Sequence, residues 1–394
     1  MKIIHVAAAI IQDGGRILTT QRAHGEYSGY WEFPGGKLEP GETAQEALVR
    51  EIYEELDAQI QILRHFYTLE YDYPTFHLVM DCYLCRLENN DFTLLEHSAA
   101  RWVTESELDD VDWLPADLEI IQALHAYMKT NPVKMIFFDI DGTLITNKTQ
   151  ILPDSVRQAL AEARQNGHLT FINTGRTYFN IEQELRDLGF DGYLCGCGTY
   201  LYYHNTLLFS HTIPHETCVE LLKLLRECGV SAFFEENGHI YKDPRLPSLP
   251  RLEKKMMDFL IKRGIPCHVF EDDSTATFDK FIVYFLPGCD KERFLRAIHD
   301  KLTYIDRGQN MGEIIQKNYS KATAIQYMMD YLHIPLENCY AIGDSTNDLS
   351  MLKFVSHAIA MGNSMPEILP YCSYQTSDVL EDGIYQALKH YHII

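Results

Sequence analysis

The chain of 394 residues has no apolar run long enough to cross a bilayer, and it is short of positive charge. A membrane-spanning helix needs about 20 apolar residues in succession, so we expect no membrane association. Lys and Arg number 34 against 56 Asp and Glu, which gives a formal net charge of −22. Phosphate backbones attract positive surfaces, so this balance argues against a nucleic-acid polymer as partner. It is compatible with small phosphorylated substrates, because divalent metal ions reverse the local field.

An export signal is also missing. The apolar segment 3–11 follows a single Lys and precedes Asp-Gly-Gly rather than a small-residue cleavage site, which indicates a buried strand and a cytoplasmic protein. Ten cysteines in such a chain are expected to be reduced. The close pairs, Cys82 with Cys85 and Cys195 with Cys197, lack a second pair or a His cluster, so we interpret them as packing residues.

The pattern of predicted secondary structure changes near residue 130 and divides the chain into two parts. Strand-like runs around one amphipathic helix precede it, and short apolar strands alternating with helical patterns, at 153–166 and 178–188, follow it. Such alternation is typical of a parallel sheet covered by helices. We predict a multidomain α/β protein with domains 1–130 and 131–394, the second having a core (133–194 and 312–394) and an inserted cap at about 195–311.

Three glutamates lie on one predicted helix. The helix is expected over 44–56, because Thr43 and Glu46 have capping-box spacing and every fourth residue from 48 to 56 is apolar. Beside that apolar sector, one side of the helix carries three carboxylates: Glu51, Glu54 and Glu55. They repel one another unless a cation binds them. Mg²⁺, with Mn²⁺ as the alternative ion, prefers oxygen ligands of this kind.

The segment around this helix carries a signature. Gly36, five residues, Glu42, seven residues and then Arg50-Glu51-Ile52-Tyr53-Glu54-Glu55 resembles the Nudix box, and 31–36 resembles its MutT-type branch. The resemblance implies an α/β/α sandwich in which water attacks a nucleoside di- or triphosphate and releases a monophosphate. It implies a phosphate contact from Arg22 and a catalytic role for Glu51. The implied metal-binding groups are the carbonyl of Gly36 and the carboxylates of Glu51, Glu54, Glu55 and Glu96.

Two residues of the box need separate treatment. Where the box has Gly, this chain has Asp57, which we expect to close the helix in a left-handed conformation at a small cost in stability. Arg50 is expected to pair with Glu42 or another helix carboxylate rather than with substrate.

The base is less strongly specified. The run 114–117 resembles the base-reading segment of MutT-type enzymes, which gives that role to Asp117. An Asp suits an oxidised purine, as in 8-oxo-dGTP, which we favour, or a cytosine, as in (d)CTP or a modified dCTP. The alternative is that Asp117 caps the helix that follows it.

Four further motifs appear in order after residue 134. They are an apolar strand ending in Asp139-Ile140-Asp141-Gly142-Thr143, a strand ending in Thr174-Gly175-Arg176, Lys321 after Ser320, and a strand leading to Gly343-Asp344-Ser345-Thr346-Asn347-Asp348. Carboxylates at the carboxyl ends of parallel strands lie where such sheets bind ligands.

The order of these motifs resembles that of the haloacid dehalogenase (HAD) phosphatases, and the insertion after Thr174 resembles the cap of the Cof-type (IIB) branch. The resemblance implies a Rossmann-like core with an inserted α/β cap. Asp139 is then the nucleophile and Asp141 the general acid and base. The remaining implied roles are phosphoryl binding by Thr174 and Lys321, substrate contacts by Arg176 and Asn347, and a Mg²⁺ site of Asp139, Asp141, Asp344 and Asp348.

A bifunctional hydrolase is therefore the main hypothesis. The first site would convert a nucleoside triphosphate to a monophosphate, and the second would dephosphorylate that product or an unrelated sugar or cofactor phosphate. A nucleotide-sensing or effector-binding first domain that regulates the phosphatase is the alternative. Its box carboxylates are intact, which argues for catalysis. The oligomeric state does not follow from the sequence.

Overall fold

The computed structural model describes residues 2–88, 91–236, 238–262 and 264–394. Contacts along the backbone separate two compact units. The first comprises Met1–Met135, Ala163–Leu169 and Met329–Asn338, and the second comprises Ile136–Glu162, Thr170–Met328 and Cys339–Ile394. Among the described residues, no helix is both long enough and apolar enough to span a membrane.

Seven strands form the sheet of the first unit: β1 (Lys2–Asp13), β2 (Arg16–Arg22), β3 (Trp31–Glu32), β4 (Gly35–Lys37), β5 (Ile60–Asp72), β6 (Phe76–Leu87) and β7 (His97–Thr104). Strands β3, β2, β1, β6 and β5 are neighbours in that order, with β4 beside β1 and β7 beside β2. The apolar start of the chain thus forms β1, which confirms the predicted strand.

Two helices cover opposite faces of this sheet: α1 (Ala44–Leu56) and α2 (Asp117–Thr130). The apolar side of α1 packs into one hydrophobic core and that of α2 into another. Cys82 and Cys85 on β6 are buried in different cores, as expected for strand residues three apart. The layers confirm the predicted α/β/α sandwich.

The α1 helix has the predicted bounds because both of its ends are specified locally. Thr43 and Glu46 form a complete capping box, and Asp57 closes the helix in the left-handed region with φ 47° and ψ 41°. The amide of Asp57 donates to the Tyr53 carbonyl at 3.0 Å.

The second unit contains fourteen strands among its described residues: β8 (Met135–Phe138), β9 (Leu169–Asn173), β10 (Gly192–Cys195), β11 (Tyr200–Tyr203), β12 (Thr206–Ser210), β13 (Ser231–Glu236), β14 (His239–Lys242), β15 (Cys267–Val269), β16 (Lys280–Tyr284), β17 (Leu302–Asp306), β18 (Met311–Gln316), β19 (Cys339–Gly343), β20 (His357–Ala360) and β21 (Tyr374–Gln375). Its helices are α3 (Asp154–Gln165), α4 (Gln183–Arg186), α5 (His215–Cys228), α6 (Pro250–Lys262), α7 (Lys291–Ile298), α8 (Lys321–Leu332), α9 (Leu349–Phe354) and α10 (Gly383–His390).

Two sheets organise these elements. The core sheet has the order β12-β11-β10-β9-β8-β19-β20-β21, and β9 with β10 and β19 with β20 run parallel. The cap sheet has the order β15-β14-β13-β16-β18-β17 and packs its apolar side chains against α5 and α7. This architecture confirms the predicted Rossmann-like core with an inserted α/β cap.

The limits of the cap differ from the predicted 195–311. The aromatic hairpin of β11 and β12 pairs with β10 and extends the core sheet, whereas β18 pairs with β16 in the cap sheet. The sequence pattern of a hairpin strand is the same whichever sheet the strand joins, because local patterning does not identify its pairing partner. The cap therefore lies between Ser210 and Lys317.

The predicted helix over 178–188 is broken. A 3₁₀ turn spans Tyr178–Asn180, Ile181 is extended, and only Gln183–Arg186 is α-helical. At the break Arg176, which pairs with Asp141 at 2.9 Å, donates to the Asn180 carbonyl at 3.2 Å and to the Glu182 carboxylate at 2.6 Å.

The left-handed C-cap of α1 yields a stability prediction. Asp57→Gly should raise the free energy of unfolding of the first unit by about 0.5 kcal/mol. Glycine relieves the strain of the left-handed backbone, and this gain is partly offset because glycine also gives the unfolded chain more conformational freedom. Asp57→Ala should lower it. All three tryptophans precede residue 114, so tryptophan fluorescence in urea follows this unit selectively. Equal stability of the Gly and Ala variants would contradict the assignment.

Candidate active sites

The first unit contains a cavity of about 920 Å³ that joins the helix carboxylates to the base-reading segment. Glu51 and Glu55 of α1 and Gly36 of β4 line one part of it, and Asp117 lines another. Glu96 and Arg22 line the same cavity. A Cβ at Gly36 would lie 2.3 Å from the Glu51 carboxylate, so a larger residue there would displace that side chain from its position in the cavity. The cavity thus gathers most of the residues predicted for the first site.

The α1 carboxylates have different surroundings. Burial raises the pKa of Glu55 to about 7, although the charge of His97 and the amide of Gly35, which donates to Glu55 at 3.0 Å, oppose the rise. Glu51 accepts a hydrogen bond from Arg50 at 2.8 Å. The side chain of Glu54 is 53% exposed and pairs with Arg50 at 3.1 Å. Oxygen ligands around a buried carboxyl with a raised pKa fit a hard divalent cation, which would restore its ionised form.

Arg50 is confirmed as a partner of Glu42. Its Nε and Nη2 atoms donate to the two Glu42 oxygens at 2.8 and 2.9 Å, and Nη2 also donates to the Lys37 carbonyl at 3.0 Å. This bidentate pair ties the loop before α1 to the helix.

Asp117 does not cap α2. Ala116 occupies the N-cap position without a side-chain hydrogen bond, and Asp117 is the first helical residue. Its side chain is buried, and Oδ2 has no hydrogen-bond partner. Burial, together with the charge of Glu32, raises the pKa of Asp117 well above its ordinary value.

The sequence analysis missed Glu32 and His97 as cavity residues. Glu32 accepts from Arg22 at 2.6 Å and lies 3.4 Å from the imidazole of His97. Glu32 belongs to the MutT-like segment 31–36, so a signal for it was present, whereas His97 follows Glu96 with no motif of its own.

The second unit builds its site where three adjacent core strands end. Asp139 follows β8, Thr174 follows β9 and Asp344 follows β19, and these strands are neighbours. The amide of Asp139 donates to the Ile342 carbonyl at 3.1 Å, which fixes the first strand end against the third. Parallel pairing thus brings together motifs that lie more than 200 residues apart.

A buried lysine holds two of the carboxylates. Nζ of Lys321 donates to Asp139 at 2.5 Å and also to Asp348, and all three side chains are almost fully buried. The second oxygen of Asp348 accepts from the amides of Asp344 and Ser345 at 3.0 and 3.2 Å. Burial alone would lower the pKa of Lys321, but the two carboxylates raise it above its ordinary value.

The acidic cluster of Asp139, Asp344 and Asp348 fits a divalent cation. Its oxygens lie within 4.8 Å of one another, and Oδ1 of Asp344 is buried without a hydrogen-bond partner. Burial and the neighbouring carboxylates raise the pKa of Asp139 and of Asp344 to about 7, so the cluster is short of positive charge. Gly142 packs against Asp344 with φ 83°, and a Cβ there would lie 2.2 Å from the carboxylate.

Asp141 and Arg176 face each other in the same site. Two guanidinium nitrogens of Arg176 donate to the two Asp141 oxygens at 2.9 and 2.5 Å, and Gln150 contacts both side chains. Asn347 accepts from the hydroxyl of Ser345. Asn147, which was not predicted, donates to Asp344 at 3.3 Å. Asn363, which from the sequence could be a simple turn residue, donates to the Gly142 carbonyl at 2.8 Å. Asn147 lies in a loop without a motif.

Comparisons with known proteins find relatives of both parts of the chain. Residues 136–388 match the haloacid dehalogenase-like hydrolase family and residues 1–124 match the NUDIX domain. A CTP pyrophosphohydrolase of Escherichia coli is 34% identical over 135 residues, which cover 34% of this chain and 98% of that protein. The 5-amino-6-(5-phospho-D-ribitylamino)uracil phosphatase YwtE of Bacillus subtilis is 28% identical, covering 64% of this chain and 96% of that protein. A solved HAD subclass IIB sugar phosphatase has a TM-score of 0.58 at 28% identity, covering 66% of this chain and all of that one.

The chain is a hydrolase that belongs to the NUDIX family through its first part and to the haloacid dehalogenase-like hydrolases through the larger second part. Within these families it is a MutT-type Nudix hydrolase fused to a Cof-type phosphatase. Its relatives act on small phosphorylated molecules, which agrees with the partners expected from its charge.

The acidic cluster predicts a metal-dependent stability. Mg²⁺ at 100 times its Kd should stabilise the second unit by about 2.7 kcal/mol, and Asp344→Asn should abolish that gain because a ligand charge is lost. Urea unfolding followed by circular dichroism with and without MgCl₂ measures it. Asp300→Asn, whose native side chain is 99% exposed, is the matched control. An unchanged Mg²⁺ response in Asp344→Asn would refute the assigned site.

Proposed function

We propose that the chain catalyses two linked hydrolyses, with a Nudix domain at 1–130 that cuts a nucleoside triphosphate and a phosphatase domain at 131–394 that removes the remaining phosphate. The observation that carries this proposal is that each unit places acidic motif residues together: Glu51 and Glu55 line the cavity of the first unit, and three aspartates form a buried cluster in the second. A sensing domain would not need the box carboxylates, so catalysis is favoured over the regulatory alternative. Function is argued from each site, since the folds alone do not specify it.

In the Nudix site we assign the metal ions to the carbonyl of Gly36 and to four carboxylates: Glu51, Glu54, Glu55 and Glu96. Bound Mg²⁺ would neutralise phosphate charge and lower the pKa of the attacking water. Glu51 is assigned as the catalytic carboxylate, and Arg22 as a phosphate contact at the cavity wall. Arg50 is excluded from substrate binding because Glu42, Glu51 and Glu54 occupy its donors.

For the base we propose cytosine, as in CTP or dCTP. In its protonated form Asp117 would donate to the ring nitrogen N3, while the Glu32 carboxylate would accept from the exocyclic amino group. The similarity to a CTP pyrophosphohydrolase supports this choice over the oxidised purine that the sequence favours. 8-oxo-dGTP stays the second candidate, because an Asp that accepts, or donates when protonated, also suits an oxidised purine.

In the phosphatase site we assign the chemistry to two aspartates. The Asp139 carboxylate attacks phosphorus as the ester P–O bond breaks, and Asp141 gives its proton to the leaving oxygen. Asp141 then takes a proton from water, whose oxygen attacks the aspartyl-phosphate and releases orthophosphate and Asp139. Thr174 and Lys321 hold the transferred oxygens, Arg176 orients Asp141, and Asn347 contacts substrate.

The bound ion of this site would be Mg²⁺, held by Asp139, Asp344 and the Asp141 carbonyl, with Asp348 in support. It would supply positive charge to the phosphoryl group during transfer. The proposed substrate is the nucleoside monophosphate made by the first site, because its removal would draw the first reaction forward. A sugar or cofactor phosphate is the second candidate, which the similarity to a sugar phosphatase favours.

Paired substitutions test the two-site proposal. Glu54→Gln should abolish pyrophosphate release from dCTP and spare phosphatase activity, because the lost charge belongs to one site only. Asp139→Asn should lower phosphatase activity by at least about 10³-fold and spare pyrophosphate release. Separate assays of pyrophosphate, orthophosphate and free nucleoside on dNTPs, 8-oxo-dGTP, monophosphates and sugar phosphates provide the readout.

The product pattern decides between the alternatives. Free nucleoside formed from dCTP by the wild type supports linked hydrolysis, whereas monophosphate that accumulates without nucleoside refutes the link. If neither substitution changes any activity, the assigned residues are wrong.

Base reading is tested at Asp117. Asp117→Ala should lower kcat/KM for dCTP by about 10- to 100-fold, because one base hydrogen bond is lost in a buried site. Pyrophosphate release from dCTP, dTTP and 8-oxo-dGTP is compared in wild type and variant. Asp110→Asn, at an exposed position in the 3₁₀ turn that precedes α2, is the control. An equal loss for all three nucleotides would show that Asp117 supports the fold rather than reads the base.

A further inference from the structure

Lys280, at the start of β16 in the cap sheet, reaches the phosphate-binding loop of the core. Its Nζ donates to the carbonyl of Gly175 at 2.5 Å, and its side chain is only 6% exposed. Gly175 lies between Thr174, assigned to the phosphoryl group, and Arg176, which holds Asp141. A cap residue therefore contacts a core loop that carries two residues assigned to the phosphatase site.

The ammonium of Lys280 is kept charged by two buried carboxylates. Glu313 on β18 lies 2.6 Å from Nζ and Glu235 on β13 lies 3.5 Å from it. Burial alone would lower the pKa of Lys280, but the charges of Glu235 and Glu313 raise it above its ordinary value. Glu313 has a second partner in Arg307, whereas the structure gives the Glu235 side chain only Lys280 among its described neighbours. The lysine thus stays a strong donor out of contact with water.

The loop itself is closely packed. A Cβ at Gly175 would lie 3.3 Å from the Glu313 carboxylate of the cap and 3.3 Å from the sulfur of Cys197 in the core, so little space separates the loop from Glu313. The amide of Arg176 donates to the hydroxyl of Thr174 at 3.2 Å. Rotation of the Gly175 peptide would therefore move Thr174 and Arg176 together.

The start of β16 is fixed against the core by a second contact. The hydroxyl of Tyr200 on β11 donates to the Asp279 carboxylate at 2.6 Å, and both residues are buried. Lys280 is consequently presented to the Gly175 carbonyl from an anchored position rather than from a mobile cap surface.

We propose that Lys280 is a positioning residue of the phosphatase site, which holds the loop of Thr174, Gly175 and Arg176 in the conformation that receives the transferring phosphoryl group. The inference rests on the phosphoryl-binding role proposed for Thr174. The ammonium group of Lys280 donates to the Gly175 carbonyl and to Glu313, so Lys280 acts through the loop and not on substrate. A different explanation is that Lys280 only balances the charge of Glu235 and Glu313.

Variants that keep the charge balance separate the two explanations. Lys280→Met/Glu235→Gln removes one cation and one anion and leaves the pair of Arg307 with Glu313 in place. If the contact with Gly175 matters, phosphatase kcat should fall by about 10²-fold, the cost of misplacing a reacting group by about 1 Å. Inhibition by orthovanadate, which mimics the transferring phosphoryl group, should weaken by about tenfold or more.

Two readouts in the same samples control for folding. Pyrophosphate release by the first unit should remain at the wild-type rate, and Glu235→Gln alone should keep wild-type phosphatase activity because the donor to Gly175 remains. Should the first double variant unfold, Lys280→Met/Glu235→Leu replaces it, since apolar substitutes for a buried ion pair preserve or raise stability. Melting followed by circular dichroism identifies the folded samples.

The outcomes are distinct. A folded double variant with low kcat and weak vanadate inhibition supports the proposal, and wild-type values for both overturn it in favour of charge balance alone. Asp139→Asn is measured beside them. If Asp139→Asn kept its phosphatase activity, the proposed reaction itself would fail, whatever the Lys280 variants did.

Discussion

Repulsion between carboxylates is the constraint on which both sites depend. Each site gathers three or more acidic side chains in a chain that already carries a net charge of −22. Part of that repulsion is offset by basic residues. In the first site Arg50 bridges Glu42, Glu51 and Glu54, and in the second Lys321 bridges Asp139 and Asp348 while Arg176 pairs with Asp141. Burial, to which neighbouring carboxylates add, raises the pKa of Glu55 and of Asp344 to about 7 and indicates where a cation fits.

Local signals predicted local structure well. The α1 helix begins and ends as its capping box and C-cap require, and its bounds follow from residues within one turn of each end. Three of the phosphatase motifs directly follow apolar strands, and the order of those strands in the core sheet brings their ends together. The residues assigned from family motifs were therefore found in two clusters without knowledge of the tertiary structure.

Features set by distant contacts were not predicted. The pattern over 178–188 is helical, yet Arg176, which Asp141 holds from 35 residues away, contacts Asn180 and Glu182 where the helical conformation is interrupted at Ile181. The strands β11 and β12 look like part of an insertion, yet their pairing with β10 makes them core. Burial of Asp117 depends on the packing of α2 on its sheet, so neither its raised pKa nor its missing partner was visible in the sequence.

The polypeptide enters the cap after β12 and returns to the core before α8, while the strand ends that carry the assigned aspartates belong to the core sheet. Changes in the length or composition of the cap can therefore accumulate without moving Asp139 or Asp344. Proteins that share this core could therefore change the ester they accept by exchanging the cap, provided that a cap residue such as Lys280 still donates to the loop of Thr174, Gly175 and Arg176. Substrate range and reaction chemistry are thus separately evolvable in the second unit.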